Sequence, residues 1–384
     1  MYRMVSKKGK LRSRSHHVRI SSFVSPNFFF VSSVAKHSIT FESRQSNIPI
    51  IMKKYILFLI LFLISGLSSG QQYHPLTLKE VEKRLLPQFS SMINTPIQDI
   101  TLEEIKKQRK IDAEIPWPEL KNKDSVDVIQ SKIPGLNAKD PEIPVTIYKP
   151  KNAKNLPILL WFHGGGFIYG TPKWDHQRCA DYAVKGNTIV INIDYRFAPE
   201  YPFPAALYDA YASLLWATKN AESISGNPKL LAVGGISAGA GISGSLAQYV
   251  RDQRGPKISL EILEIPPGDW GMDYPSVIEL KRIPGLKSED FPIIKNYYVG
   301  EKGNSKEKYV LPGNIENVSN LPPTVIFVAG ADPLRDSGLV YADRLIKAGN
   351  FTELHFFSGY AHGMPLPGSM EITLRAINQF LKPK

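Results

Sequence analysis

LLAVGGISAGAGIS, residues 230–243, passes from a short apolar run to a series of small residues. Residues 230–233 have the composition of a buried strand, and the small residues after Ser237 can continue into a helix. The centre of this stretch is a G-x-S-x-G pattern. Between a strand and a helix, that pattern is typical of a sharp turn that presents a serine above a parallel sheet. Glycines on both sides would let strand and helix pack closely. We predict Ser237 as a nucleophile; a glycine-rich turn that serves only packing is the alternative.

The composition narrows the class of protein. The chain has 384 residues and 43% hydrophobic content, enough for one large core or two modest ones. Its net charge of +12 is concentrated near the N-terminus, because residues 1–70 hold eleven Lys and Arg and one acid, Glu42. The rest of the chain is near neutral, which argues against a nucleic-acid-binding surface. Cys179 is the sole cysteine, so an internal disulfide and a thiolate metal cluster are excluded.

Residues 52–70 have the three parts of a secretory signal peptide. A methionine and two lysines provide a positive start, YILFLILFLI an apolar middle, and SGLSSG a small-residue end. A transmembrane anchor is the alternative, but ten apolar residues are too few to span a bilayer comfortably. We predict cleavage after Gly70 and a periplasmic or secreted protein.

The segments on either side of this signal peptide differ in character. Residues 1–51 are basic and Ser-rich, and we interpret them as a non-native or disordered leader, with a transit peptide as the alternative. Residues 71–120 are predicted to form N-terminal cap helices. Apolar residues there recur mostly at three- and four-residue steps until Pro87 interrupts them. Thr101, followed by acids, is typical of a second helix start.

Residues 121–384 alternate strands with helices. Two strands of alternating character come first and six mostly apolar runs follow: SVDVIQSKI, IPVTIY, LPILLWF, TIVINI, LLAV, LEILEI, TVIFVAG and ELHFF. Helical stretches separate most of them, at 205–221, 237–251, 334–348 and 370–381. This alternation indicates an α/β fold with a mostly parallel sheet covered on both faces. Residues 268–320 interrupt it, and their aromatic residues predict a packed insertion that completes the cap.

A run of glycines directly follows the first buried strand, in the sequence HGGGF at residues 163–167. Acyl transfer needs hydrogen-bond donors directed at the oxyanion of a tetrahedral intermediate. Residues without side chains let backbone N–H groups approach that oxygen. We predict Gly165 and Gly166 as donors, with the N–H of Ala238 as a third. A turn that merely reverses the chain is the alternative.

An acid and a histidine follow the last two predicted strands. Asp332 can orient an imidazole and stabilise its charged form, and it can also cap the next helix. His362 follows the final strand, where it can serve as the general base for Ser237. The order Ser, Asp, His is that of alpha/beta-hydrolases. Asp336 is a weaker candidate acid, and His355, inside a strand, is interpreted as structural.

A proline-rich loop after the second buried strand carries three charged residues, Asp194, Arg196 and Glu200. If they are buried, we expect them to pair with each other and brace the site. A solvated loop without a role is the alternative.

Together the motifs resemble the hormone-sensitive-lipase family of alpha/beta-hydrolases: HGGGF, DYRFAPEYPFPAA, GISAG, DPLRD and a late His-Gly. The resemblance covers about residues 71–384. It implies a carboxylesterase with an N-terminal helical cap and an eight-stranded sheet, with no cofactor and no metal. By position it implies that Ser237 is the nucleophile, Asp332 the acid and His362 the base. It also implies an oxyanion hole formed by Gly164, Gly165, Gly166 and Ala238.

Three positions depart from the family's pattern. An acid is usual where this chain has Ile236 and again where it has Ser337, and glycine is common at Ala240. None of these changes removes a predicted catalytic residue. Ile236, however, changes the lining beside the nucleophile, and its effect on activity stays open at this point.

The predicted function is that of a serine hydrolase that cleaves carboxylic esters of short to medium acyl chains through an acyl-enzyme. The alternative is a catalytically weak or inactive small-molecule-binding protein on the same fold, since the resembled family has receptor relatives. Cleavage of an amide or peptide is a third alternative. The expected partner is a small-molecule ester, without nucleic acid or a stable membrane anchor, and a homodimer is left open.

Overall fold

Eight strands form one sheet in the computed structural model, which describes residues 72–301 and 303–381. The predicted leader, 1–51, and signal peptide, 52–70, lie outside the described residues. Within those ranges, no helix has both the length and the apolar character needed to cross a bilayer. The strands are β1 (Val126–Ile133), β2 (Ile143–Pro150), β3 (Leu156–Phe162), β4 (Ile189–Ile193), β5 (Gly226–Ile236), β6 (Ile258–Glu264), β7 (Thr324–Ala331) and β8 (Thr352–Ala361).

The strand order brings the carboxyl ends of several strands to one edge. The order is β1-β2-β4-β3-β5-β6-β7-β8. Strand β2 is antiparallel to both of its neighbours, and every other neighbouring pair is parallel. In open sheets of this kind, ligands bind beyond the carboxyl ends of the strands. The predicted α/β fold with a mostly parallel, eight-stranded sheet is confirmed.

Helices cover the sheet on both faces, as predicted. In chain order they are α1 (Leu78–Glu82), α2 (Leu102–Glu114), α3 (His176–Gly186), α4 (Ala205–Lys219), α5 (Ala238–Gln253), α6 (Pro275–Glu279), α7 (Phe291–Val299), α8 (Arg335–Lys347) and α9 (Ser369–Phe380). The four helices expected within the α/β alternation are α4, α5, α8 and α9. Helix α3 was not predicted. Its buried face is made largely of small residues, among them Cys179, Ala180 and Ala183, which give a weak apolar signal.

Strand β3 shows why the central strands are nearly continuous apolar runs. Ile158, Leu160 and Phe162 pack into the core on one side of the sheet, whereas Leu159 and Trp161 pack into the core on the other. All five side chains are fully buried. The alternation of apolar and polar residues is absent from this strand because helices cover both faces of the sheet. Because β3 is buried on both faces, its carboxyl end has a defined position, and the glycine run begins there.

The segment before the sheet and the insertion after β6 both contain short helices. Helices α1 and α2 precede the sheet, with a 3-10 helix at Pro87–Asn94 between them, and α6 and α7 lie in the insertion. The hydroxyl oxygen of Thr101 accepts a hydrogen bond from the N–H of Glu104 and so caps α2 as predicted. The N–H of Leu76 donates to the carbonyl of Glu279 at 2.8 Å, which joins the first segment to the insertion.

Glu261 on β6 is a fully buried carboxyl group, and it predicts a pH-dependent stability. Burial raises its pKa to about 8, although the hydroxyl of Thr324 donates to its Oε2 at 2.9 Å. An unfolded glutamate titrates near 4.3, so the native state keeps a proton that the unfolded state loses over roughly pH 4 to 8. This contribution to stability is complete below about pH 4 and is lost as pH rises through 8.

We therefore expect Glu261→Gln, which is neutral at every pH, to flatten the pH dependence of the melting temperature. The variant should melt near wild type at pH 5 and several degrees higher at pH 9, because its glutamine never ionises in the core. Thermal unfolding followed by circular dichroism measures this, with the exposed Glu103→Gln as a control. If the Tm of Glu261→Gln differed from that of wild type by the same amount at pH 5 and at pH 9, the raised pKa of Glu261 would be contradicted.

Candidate active site

Ser237 occupies a strained turn between β5 and α5. Its backbone angles are φ 55° and ψ −120°, a conformation that residues with a side chain rarely adopt. Its N–H donates to the carbonyl of Glu264 at 2.8 Å, which ties the turn to the end of β6. A methyl group at Gly239 would lie 2.0 Å from the carbonyl oxygen of Phe162, so only glycine permits this approach of helix to strand. The turn has the shape that the G-x-S-x-G pattern predicted.

The structure brings together the three residues predicted as nucleophile, acid and base. Ser237 Oγ lies 2.8 Å from His362 Nε2, and His362 Nδ1 lies 2.7 Å from Asp332 Oδ2. They follow β5, β7 and β8 directly, so the edge of the sheet holds them in line. Strand β8 runs four residues beyond its predicted end, which places His362 at the strand end rather than on a longer loop.

Asp332 is held on both sides. Its Oδ1 accepts the N–H of Leu334 at 2.8 Å while its Oδ2 faces the histidine, and the residue is 1% exposed. Helix α8 begins at Arg335, so the carboxylate supports the turn before the helix instead of its N-cap position. Asp336 has different partners: it pairs with Arg335 and accepts the N–H of Ser276 at 2.7 Å. It does not contact His362.

The glycine run after β3 lies beside the serine in an unusual conformation. Gly165 and Gly166 have φ angles of 122° and 61°, and a methyl group at Gly165 would lie 1.9 Å from the carbonyl oxygen of Tyr169. Among the described residues, no backbone acceptor receives the N–H of either glycine. Ala238 is the first residue of α5, where helical N–H groups lack acceptors within the helix. Gly165 and Gly166 line the same cavity as the serine, and Ala238 follows the serine directly in the chain.

A cavity of about 700 Å³ opens over these groups. The three predicted glycines, Ser237 and His362 line it, whereas Ala238 is buried and does not. Its remaining walls come from the segment before the sheet, from the loop after β3 and from the insertion, at residues 95–108, 168–178 and 285–294. The two helical segments predicted to form the cap therefore both border the cavity.

The departure at Ile236 places an apolar side chain in the cavity wall next to Ser237. Acidic groups lie close by on other elements. The side chain of Glu264, at the end of β6, pairs with Arg178 of α3 and accepts the hydroxyl of Tyr182 at 3.2 Å. Arg178 Nε also lies 3.2 Å from Asp175. The charge near the nucleophile turn is thus fixed by α3, a helix that sequence reasoning did not anticipate.

The expected pairing of Asp194, Arg196 and Glu200 is wrong. Arg196 instead binds Asp209 of α4, at 2.7 to 3.0 Å, and approaches Asp140 at 3.3 Å. Glu200 accepts a hydrogen bond from Arg109 of α2 at 2.8 Å. The loop does brace the site, but through partners on α4 and α2. A signal for Asp209 was present, because it lies one helical turn inside α4, within reach of the loop that precedes the helix.

His163 is buried and neutral beneath the glycine run. Burial lowers its pKa to about 4, and its ring stacks on Tyr195 with centroids 4.6 Å apart. The Tyr195 hydroxyl donates to the His163 carbonyl at 3.0 Å. Asp194 lies 3.9 Å from His163 Nε2, and burial raises the pKa of Asp194 to about 6. His355 pairs with Glu353 at 2.6 Å, away from the serine, in keeping with its structural interpretation.

Within residues 72–301 and 303–381, no group of three or more His, Cys, Asp or Glu side chains is arranged to hold a metal ion. Cys179 is buried and free.

Comparison with known proteins assigns the chain to a family. The profile of a family described as alpha/beta hydrolase fold matches residues 159–366. Esterase LipI of Mycobacterium tuberculosis is 36% identical over 227 residues, which cover 58% of this chain and 71% of LipI.

Solved structures agree. A protein named Bacterial Heroin Esterase superposes with a TM-score of 0.70 at 30% identity, covering 78% of this chain and 99% of its own. Esterase LipW of Mycobacterium marinum gives a TM-score of 0.68 at 28% identity, covering 80% and 96%. The matched residues 159–366 contain Ser237, Asp332 and His362. The resemblance inferred from the motifs is confirmed: the chain belongs to the hormone-sensitive-lipase-like esterases of the alpha/beta-hydrolase fold.

Proposed function

We propose that this protein is a carboxylesterase in which Ser237 is the nucleophile, His362 the general base and Asp332 the acid that orients it. One observation carries the proposal: an unbroken chain of two hydrogen bonds, 2.8 and 2.7 Å long, runs from the serine through the histidine to the aspartate. Ser237 and His362 face a cavity that is also lined by Gly165 and Gly166, whose backbone N–H groups have no backbone acceptor among the described residues. Homologues with this fold are esterases and carboxylesterases.

The geometry supports a two-step reaction. His362 Nε2 takes the proton of Ser237 as Oγ attacks the ester carbonyl carbon, and Asp332 stabilises the imidazolium that forms. The N–H groups of Gly165, Gly166 and Ala238 are the proposed donors to the oxyanion, with Gly164 shaping the same loop. His362 then protonates the departing alcohol. Water, activated by the same histidine, releases the acid from the acyl-enzyme.

We propose esters of short to medium acyl chains as the substrates. Three segments of the polypeptide bound the cavity, and we expect them to limit how far an acyl group can extend from Ser237. Among p-nitrophenyl esters, we expect kcat/KM to be highest for butyrate to octanoate and to fall about tenfold or more for palmitate, whose extended acyl chain we expect to reach beyond the segments that bound the cavity. Stopped assays over this series measure it. Equal kcat/KM for butyrate and palmitate would contradict the proposed acyl limit.

A fluorophosphonate probe separates an enzyme from a binding protein. Ser237 Oγ should displace fluoride and form a P–O bond, with the serine proton passing to His362, and the label should map to the peptide that holds residue 237. A protein that only binds ligands in this cavity would stay unlabelled.

Two further properties remain proposals. Residues 52–70 support export to the periplasm or the medium, with Gln71 as the mature N-terminus, which N-terminal sequencing of the exported protein tests. A homodimer was left open by the sequence, and light scattering of the purified protein determines the oligomeric state.

A further inference from the structure

Arg109 of helix α2 joins three separate parts of the chain. Its Nε donates to the carbonyl of Ile168 at 2.7 Å, one Nη to the carbonyl of Ala198 at 2.6 Å, and the other to Glu200 Oε2 at 2.8 Å. The guanidinium also lies 5.5 Å from the ring centroid of Phe197. All three acceptors lie in two loops: Ile168 in the loop after β3, which borders the serine, and Ala198 and Glu200 in the loop after β4. Planar, multiple donation of this kind fixes its acceptors more firmly than one flexible bond does.

The Ile168 carbonyl belongs to the turn that holds the proposed oxyanion donors. The N–H groups of Ile168 and Tyr169 both donate to the carbonyl of Gly165 at 3.1 Å, closing the turn. Phe167, at its centre, has φ 66°, a conformation that needs support from its surroundings. The Phe167 carbonyl in turn accepts the N–H of Ala198 at 3.0 Å. Arg109 therefore contacts the turn directly at Ile168 and indirectly through Ala198.

Two other contacts fix α2 against the same loop. Asp112 Oδ2 accepts the N–H of Gly170 at 3.2 Å. The ammonium of Lys173 donates to the carbonyls of Ala113 and Ile115, at 2.8 and 2.7 Å, at the carboxyl end of the helix. Helix α2 is thus held in a defined register along the loop, and Arg109 is the group through which it reaches the turn.

We propose that Arg109 is a positioning residue for the oxyanion hole: by holding the Ile168 and Ala198 carbonyls, it sets the orientation in which Gly165 and Gly166 present their N–H groups. This inference rests on the proposed esterase function. Misplaced donors stabilise the oxyanion less in the transition state while leaving ground-state binding of the ester nearly unchanged. The role therefore predicts a loss in kcat and not in KM.

The test compares Arg109→Ala, Arg109→Lys and the control Lys110→Ala on p-nitrophenyl butyrate. Lys110 is exposed and neighbours Arg109 on α2. Each preparation is titrated with the fluorophosphonate, so that kcat refers to active sites and not to total protein. We expect about a ten- to hundredfold lower kcat for Arg109→Ala with KM within about twofold, as for an oxyanion group displaced by a fraction of an ångström. The lysine variant should restore part of the loss through one bond, and Lys110→Ala should match wild type.

A thionoester of the same acid and alcohol adds a readout that a merely structural role would not move. Its sulfur accepts hydrogen bonds poorly, so the wild-type preference for the oxygen ester reports on the oxyanion donors. In Arg109→Ala this preference should shrink.

Three outcomes would overturn the proposal: an unchanged kcat per active site, a loss confined to KM, or an equal loss on both esters. Failure of the esterase proposal itself looks different, because the wild-type protein would then neither hydrolyse the ester nor take the label.

Discussion

Ser237→Ala should lower kcat for p-nitrophenyl butyrate by about 10⁴- to 10⁶-fold, the range expected when the nucleophile of a Ser-His-Asp site is removed. Alanine removes the hydroxyl that is hydrogen-bonded to His362 Nε2, so the histidine loses the group that it deprotonates. Residual turnover would come from the backbone donors acting on a water molecule. Steady-state kinetics with a fluorophosphonate-treated control for contaminating esterase measures the loss.

The folded state should survive this substitution. The side chain of Ser237 makes one hydrogen bond, to His362, and the strained backbone is held by the bond from its N–H to Glu264. Ser223→Ala, which removes an exposed hydroxyl from a surface turn, serves as the matched control and should keep wild-type kcat. If Ser237→Ala retained more than a few per cent of wild-type kcat after that correction, Ser237 would not be the nucleophile.

The sequence was sufficient to place the residues that follow strands. Ser237, Asp332 and His362 each follow an apolar run within a few residues, and parallel strands end at one edge of a sheet, so their proximity followed from topology. The glycine pattern carried the turn geometry too, because a Cβ at Gly239 has no room beside Phe162. Local sequence encodes such features, since strand ends and tight turns depend on residues close in the chain.

Charge pairing was not predictable in the same way. Arg196 and Glu200 are four residues apart, yet they do not pair with each other. Arg196 binds Asp209, and Glu200 binds Arg109, which lies 91 positions away in the sequence. The Glu200–Arg109 pair depends on how α2 packs against the loop that carries Glu200, and no periodicity records that packing, whereas Asp209 lies close enough to Arg196 in the sequence to have been considered. Helix α3 was missed for a related reason: its buried face is built of small residues.

Ile236 illustrates both what the local sequence predicts and what it leaves open. From the sequence it marked a lost acid beside the nucleophile. In the structure the carbonyl of Glu264 receives the Ser237 N–H, and the Glu264 carboxylate is neutralised by Arg178. In this chain the turn is therefore held by a backbone hydrogen bond to a neighbouring strand end, which does not involve the side chain of residue 236.

Asp332→Asn should lower kcat near neutral pH by about 10⁴-fold, as expected when the acid of a triad loses its charge but keeps its shape. The hydrogen bonds of Asp332 determine how the introduced amide will sit. Its Oδ1 accepts the N–H of Leu334 at 2.8 Å, so the oxygen of the new side-chain amide must take that side. The amide NH₂ then faces His362 Nδ1, which has to act as the acceptor. The proton of His362 moves to Nε2, where it blocks removal of the Ser237 proton.

Asp336→Asn is the matched control for this prediction, since Asp336 lies one helical turn away and pairs with Arg335. It should lose about 1–3 kcal/mol of stability from the broken charged hydrogen bonds, with kcat per active site within about threefold of wild type. Equal losses of kcat in the two variants would mean that Asp332 acts only by supporting the fold. A loss specific to Asp332→Asn, together with a ¹⁵N shift that places the His362 proton on Nε2, would instead show that its charge selects the tautomer on which proton transfer from Ser237 depends.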